Sequence, residues 1–109
     1  MWVRESINRS KKMRDYFNLN GVSVIIKDRL PDEVDLEFIL NYISSRVPFY
    51  LTQNVEMIYI GQFPEMKERD INAYYENDAI YITNKQDDEM DMIEDIIHEI
   101  SHAVEHYNG

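Results

Sequence analysis

Asp95 to Tyr107 reads DIIHEISHAVEHY, and the fold and the chemistry of the chain both turn on this stretch. Met90, Ile93, Ile97, Ile100, Val104 and Tyr107 recur at steps of three and four, with Ile96 and Ala103 widening the same apolar stripe, which is the pattern of an amphipathic helix. On a helix, residues four apart lie one above the other, so His98 and His102 can aim their imidazoles at one point outside it. That spacing predicts a two-His metal site, read as zinc. Glu99, one position round from His98, is placed to take a proton from a water held on the metal rather than to be a comfortable third ligand. At about 100° per residue, the apolar stripe points away from the two histidines. A lone buried His is usually a satisfied core residue and a lone exposed one a surface residue. Two of them framing a Glu beside an apolar stripe fit neither description.

Working upstream, Asp87, Asp88, Glu89, Asp91, Glu94 and Asp95 crowd the start of this helix, where acids favour the positive end of the helix dipole. They lack the spacing of a calcium-binding EF-hand loop. Ile71 to Thr83, INAYYENDAIYIT, holds two β-prone pieces, Ala73-Tyr74-Tyr75 and Ala79 to Thr83, around Glu76-Asn77-Asp78. It predicts a hairpin or bent edge strand. Residues 62–70 are polar and read as loop. VEMIYI, Val55 to Ile60, is a strand closed by Gly61 and Pro64. Leu36, Ile39, Leu40, Ile43 and Val47 follow helical spacing between a start at Pro31-Asp32-Glu33 and a stop at Pro48. VSVIIK, Val22 to Lys27, follows the Asn20-Gly21 turn signal and reads as another strand. Residues 1–20 are expected to form a basic N-terminal helix, docking through Trp2, Ile7, Met13, Tyr16 and Phe17; residues 21–83 carry the sheet and a backing helix, and 87–107 the active-site helix.

The 109 residues, 44% of them hydrophobic, suit one domain with a modest core. With no cysteine, disulfides, thiolate zinc sites and Cys nucleophiles are excluded, so any metal must use nitrogen and oxygen ligands. No apolar run reaches the length of a membrane span, and the N-terminus lacks the apolar core of a signal peptide. The expectation is a cytoplasmic protein with no membrane partner. Residues 1–18 carry five basic and two acidic side chains, against six basic and nineteen acidic in the remainder. The acidic main body argues against nucleic acid as a partner.

The order of elements predicts an α+β layer, helices packed on a small mixed sheet. With that order in hand, His98-Glu99-Ile100-Ser101-His102-Ala103-Val104 resembles the active-site helix of the thermolysin-like gluzincin metallopeptidases. Asn72-Ala73-Tyr74-Tyr75, shortly upstream, is similar to their edge-strand segment. The resemblance covers residues 55–109 and implies the N-terminal, or upper, zincin-like subdomain. It implies that His98 and His102 hold Zn2+, that Glu99 is catalytic base and proton shuttle, and that Asn72 and Ala73 hold a peptide or protein substrate. The family's third ligand, a Glu from a downstream helix, has no counterpart before Gly109. The chain therefore reads as a portion lacking that subdomain, completing its site from there or by self-association. Two other readings stand beside this one: a small regulatory HExxH peptidase acting on a dedicated repressor, and a non-catalytic interaction domain.

Overall fold

A computed structural model describes residues 16–108. Five strands form one mixed sheet: β1 (Tyr16–Leu19), β2 (Val22–Ile26), β3 (Met57–Ile60), β4 (Ala73–Glu76) and β5 (Ala79–Ile82), in the spatial order β1-β2-β3-β5-β4. The three central strands run parallel, and each edge strand joins antiparallel through a hairpin. Both hairpins turn on two residues in the left-handed region, Asn20 (φ 51°) with Gly21 (φ 88°) and Asn77 (φ 51°) with Asp78 (φ 65°). Two consecutive positive φ values match the right-handed twist of the flanking strands, which is why Asn, Asp and Gly occupy these positions. The arrangement is α+β, as expected.

Among the described residues three helices pack with the sheet: α1 (Leu36–Arg46), the short α2 (Pro64–Glu68) and α3 (Glu89–Asn108), with a 3-10 turn at Phe49–Thr52. The α1 helix lies against β1 and α3, while α3 lies against β4 and β5. Alternation along the strands sends Val22 and Val24, Ile58 and Ile60, and Ile80 and Ile82 toward these helices, all buried. They meet Ile39 and Ile43 of α1 and Met92, Ile96, Ile100 and Ala103 of α3 in a single core. On the opposite face, Tyr59, Tyr81 and Tyr74 stand in register across β3, β5 and β4. Their rings stack at centroid separations of 5.2 and 4.5 Å. Cross-strand aromatic pairs contribute about 0.2–1 kcal/mol each, and here they tie the edge strand β4 to the centre of the sheet.

Several boundaries differ from the sequence reading, each for a local reason. Residues 1–15 of the expected N-terminal helix lie outside the described residues, and its last part, Tyr16–Leu19, is strand β1 rather than helix. Once Asn20-Gly21 makes a hairpin turn, the residues before it pair with β2. Helix α1 starts after Asp35, not at Pro31, because the Asp35 carboxylate accepts the Phe38 N–H at 3.2 Å and caps it. Within 62–70, expected as loop, Pro64 opens α2 with Glu65 in its first turn, the placement that favours a helix start. The acids before α3 serve as caps and ties. Asp88 accepts the Asp91 N–H at 2.9 Å, and Glu89 accepts the Asp35 N–H at 2.9 Å, joining the starts of α1 and α3.

The burial of α3 is also rotated from the expected stripe. Met90 is 46% exposed and Ile97 and Val104 are half-buried, whereas Met92, Ile93, Ile96, Ile100 and Ala103 are buried. At about 100° per residue, the covered arc has rolled roughly 40° toward the histidine side. The helix is wedged between α1 on one flank and the edge strand β4 on the other, so the β4 flank is covered too. That roll takes Glu99 into the boundary of the core.

Candidate metal centre

Side by side on the exposed flank of α3, His98 and His102 bring their Nε2 atoms to 3.0 Å, with rings edge to face at 86°. Two nitrogens bound tetrahedrally at about 2.0–2.1 Å from one zinc ion are about 3.3 Å apart, so the pair fits with a small opening of the two rings. Without an ion the same contact is an N–H···N hydrogen bond, one ring donating and the other accepting. Glu99 completes a group of three whose ligand atoms lie within 4.8 Å of one another. The group includes none of the acids between Asp87 and Asp95.

Glu99 is 6% exposed, yet no described residue donates a hydrogen bond to its carboxylate. No buried polar side-chain atom among the described residues lacks a partner, so its oxygens must open into the adjoining cleft. Burial raises the Glu99 carboxyl above its ordinary value, opposed by the charges of His102, His98 and Arg69. Asp95, one turn earlier, is also raised by burial, against a hydrogen bond from the Gln86 amide at 3.2 Å. A carboxylate tip with no partner, on a side chain otherwise sunk in protein, is poised to accept a proton or hold a ligand.

The cleft beside it has a volume of about 470 Å³. One wall is α3, through His98, Glu99, His102 and His106; the other is β4 and the turn before it, through Ile71, Ala73, Tyr74, Tyr75 and Arg69. The strand wall is an edge of the sheet, since among the described residues β4 pairs only with β5. Its hydrogen-bond phase is fixed: the Thr83 N–H donates to the Asn72 carbonyl at 2.8 Å, so positions 72 and 83 form a hydrogen-bonded pair. In an antiparallel ladder such pairs alternate with pairs whose backbone groups point outward. Ala73 therefore turns its N–H and C=O groups away from β5.

The expected site residues thus divide. His98, Glu99 and His102 come together, and Ala73 faces them across the cleft, whereas Asn72 is exposed, spends its carbonyl on Thr83 and does not line the cleft. Sequence reasoning did not place Arg69 or His106 in the cleft. Arg69 lay in a segment read as loop, where the Pro64-Glu65 start signal pointed to α2. His106, at the next i+4 step after His102, is a wall residue of the cleft. Its ring lies 5.8 Å from that of Tyr75, whose hydroxyl donates to Asp78 at 3.1 Å. No family model, curated protein or solved structure matches this chain. No helix among the described residues is long and apolar enough to cross a membrane.

Proposed function

We propose that this chain is the zinc-holding, zincin-like upper subdomain of a gluzincin-type endopeptidase, cleaving peptide bonds in extended segments laid along β4. The observation that carries the reading is the His98–His102 Nε2 pair at 3.0 Å beside the buried Glu99, facing Ala73 of β4 across the cleft. His98 and His102 would hold the ion. When bound, zinc polarises a carbonyl and brings water to a pKa near 7. Glu99 takes the proton of the attacking water as the C–O bond forms, then delivers it to the leaving nitrogen as the C–N bond breaks. Its raised pKa favours a carboxyl that cycles between the two states. Ala73 binds the substrate backbone by adding it to the sheet as a further strand.

The third ligand is not supplied from α3. His106 lies eight residues beyond His98, about 12 Å along the helix axis, too far to share one ion with it. In the family this chain resembles, the third ligand is a Glu from another helix, so the complete site takes one more donor from beyond the described residues or from a second molecule. The test is zinc stoichiometry with two variants. His102→Ala should abolish stoichiometric zinc, whereas Glu99→Gln should retain the metal and lose peptide hydrolysis in a preparation that turns over. Full hydrolysis by Glu99→Gln would remove the base assignment.

A further inference from the structure

The histidine pair is half of a ligand set. Zinc in a closed protein site takes four ligands in a tetrahedron, and His98 and His102 supply two of them. Composition limits what else the chain offers, because its 109 residues hold three histidines and no cysteine. The third histidine, His106, lies about 12 Å along the helix axis from His98, too far to share one ion with it. Among the described residues the carboxylate grouped with the pair is Glu99, which is buried and set into the cleft wall. No third nitrogen or thiolate therefore reaches the pair from within residues 1–109.

The same pair is placed to meet a partner. Both rings are exposed, as are Ser101 and Glu105 beside them on α3, and their Nε2 atoms stand 3.0 Å apart. They are presented outward as a unit, and a second copy of the chain presents an identical one. In a contact between identical chains related by a two-fold axis, the same surface is used on both sides. An ion on that axis receives two nitrogens from each chain and four in all. The opposing force is like charge: each chain carries a net −10, and Asp91, Glu94 and Glu105 are exposed on the same helix. A doubly charged cation at the contact offsets part of that repulsion, and salt screens more of it. Pairing should therefore depend on the ion.

We infer that one zinc ion joins two copies of this chain, each giving His98 and His102, in a closed four-imidazole site. Such a site has no open position for water or substrate, so the paired form holds zinc without turning over. The inference rests on the two-histidine zinc reading of the centre, but not on peptide binding or hydrolysis.

Sedimentation equilibrium of the tag-free 109-residue chain, with zinc raised stepwise from none to a large excess, gives the mass, and equilibrium dialysis of the same samples gives the bound metal. The metal-free chain should sediment as a 13.1 kDa monomer, and its mass should double at one zinc per two chains. In large excess each pair fills separately and the dimer should dissolve, which distinguishes an ion-bridged contact from one that zinc induces indirectly. His98→Ala and His102→Ala, both at exposed positions, should stay monomeric at every zinc concentration, whereas His106→Ala should pair as wild type does. Zinc-edge X-ray absorption of the half-equivalent sample should show four imidazole nitrogens. A chain that binds zinc one to one and remains monomeric would overturn the inference and leave the two-histidine centre standing. A dimer that forms without zinc, that survives His102→Ala, or whose zinc shows two imidazoles completed by oxygen would overturn it as well. Absence of zinc binding altogether would refute the centre itself, and the inference with it.

Discussion

His102→Ala is the most direct perturbation of the centre, and its size follows from the geometry. Both histidines are exposed, so truncating one should change the metal-free stability by no more than about 0.5 kcal/mol, as for surface substitutions in general. Zinc at one hundred times its Kd stabilises the native state by about 2.7 kcal/mol. For a domain of this size, each kcal/mol moves Tm by about 4–8 °C, so zinc should raise the wild-type Tm by about 11–22 °C. The second-shell partners of metal ligands already account for 10- to 100-fold in affinity, and losing one nitrogen of the pair should cost at least about 100-fold. The same zinc concentration then sits near the variant's Kd and stabilises it by only about 0.4 kcal/mol, or about 2–3 °C. Thermal unfolding of both proteins, with and without zinc at matched free concentration, measures this. The wild-type shift should also decline as pH falls, because ligating imidazoles must be deprotonated. Equal zinc shifts in wild type and His102→Ala would refute the two-histidine centre, whatever else binds zinc.

Glu99→Gln should stabilise the metal-free chain at neutral pH. The Glu99 carboxyl is raised above its ordinary 4.5 by burial, so its protonated form is favoured in the folded state; that stability is complete below about 4.5 and lost as pH rises through the raised value. Urea midpoints compared across this range should therefore converge for wild type and variant below pH 4 and separate above it; parallel curves would contradict the assignment. Ala73→Pro should weaken peptide binding about 5-fold, the loss of one net hydrogen bond of about 1 kcal/mol, with circular dichroism unchanged, because proline is tolerated where the N–H faces a free edge. Loss of the β-sheet signal in that variant would mean that the Ala73 N–H belongs to the ladder with β5. Ile96→Ala, at a fully buried position, should cost about 2–5 kcal/mol in chemical denaturation, and a cost below 1 kcal/mol would place Ile96 off the core.

The parts of this chain that sequence made legible are those governed by a short repeat. Period-two alternation in VSVIIK and in the 73–83 hairpin, and the i, i+4 spacing of His98 and His102, each depend on a few adjacent residues, and each is where it was expected. Glu99 was identified by its neighbours, but its burial was not foreseen, because burial depends on how far α3 rolls between α1 and β4. The same limit explains Asn72 and Ala73. Sequence places both beside the cleft, while the hydrogen-bond phase of β4, fixed by the Thr83-to-Asn72 contact at 2.8 Å, decides which of them has free backbone groups. Arg69 required the end of a five-residue helix, too short for periodicity to detect.

The roll of α3 joins the core to the chemistry. A helix centred on the Met90, Ile97 and Val104 side of the expected stripe would leave Glu99 in solvent, with an ordinary carboxylate pKa and no reason to hold a proton. Burying Met92 together with the Ile96 and Ala103 side of the stripe brings Glu99 to 6% exposure while leaving His98 and His102 outside, where an ion can reach them. The site therefore depends on the flank that β4 supplies, and β4 is held by the stacked Tyr59, Tyr81 and Tyr74 on the far face of the sheet. Removing the central ring of that stack in Tyr81→Ala would loosen β4 without touching the cleft. Its consequence should be felt at Glu99: as the edge strand frays, the carboxyl gains water and its pKa moves back toward the ordinary value. The shift is measurable by NMR titration of a 13C-labelled Glu side chain, and an unchanged Glu99 titration in Tyr81→Ala would show that α1 and the central strands alone set the burial of the base.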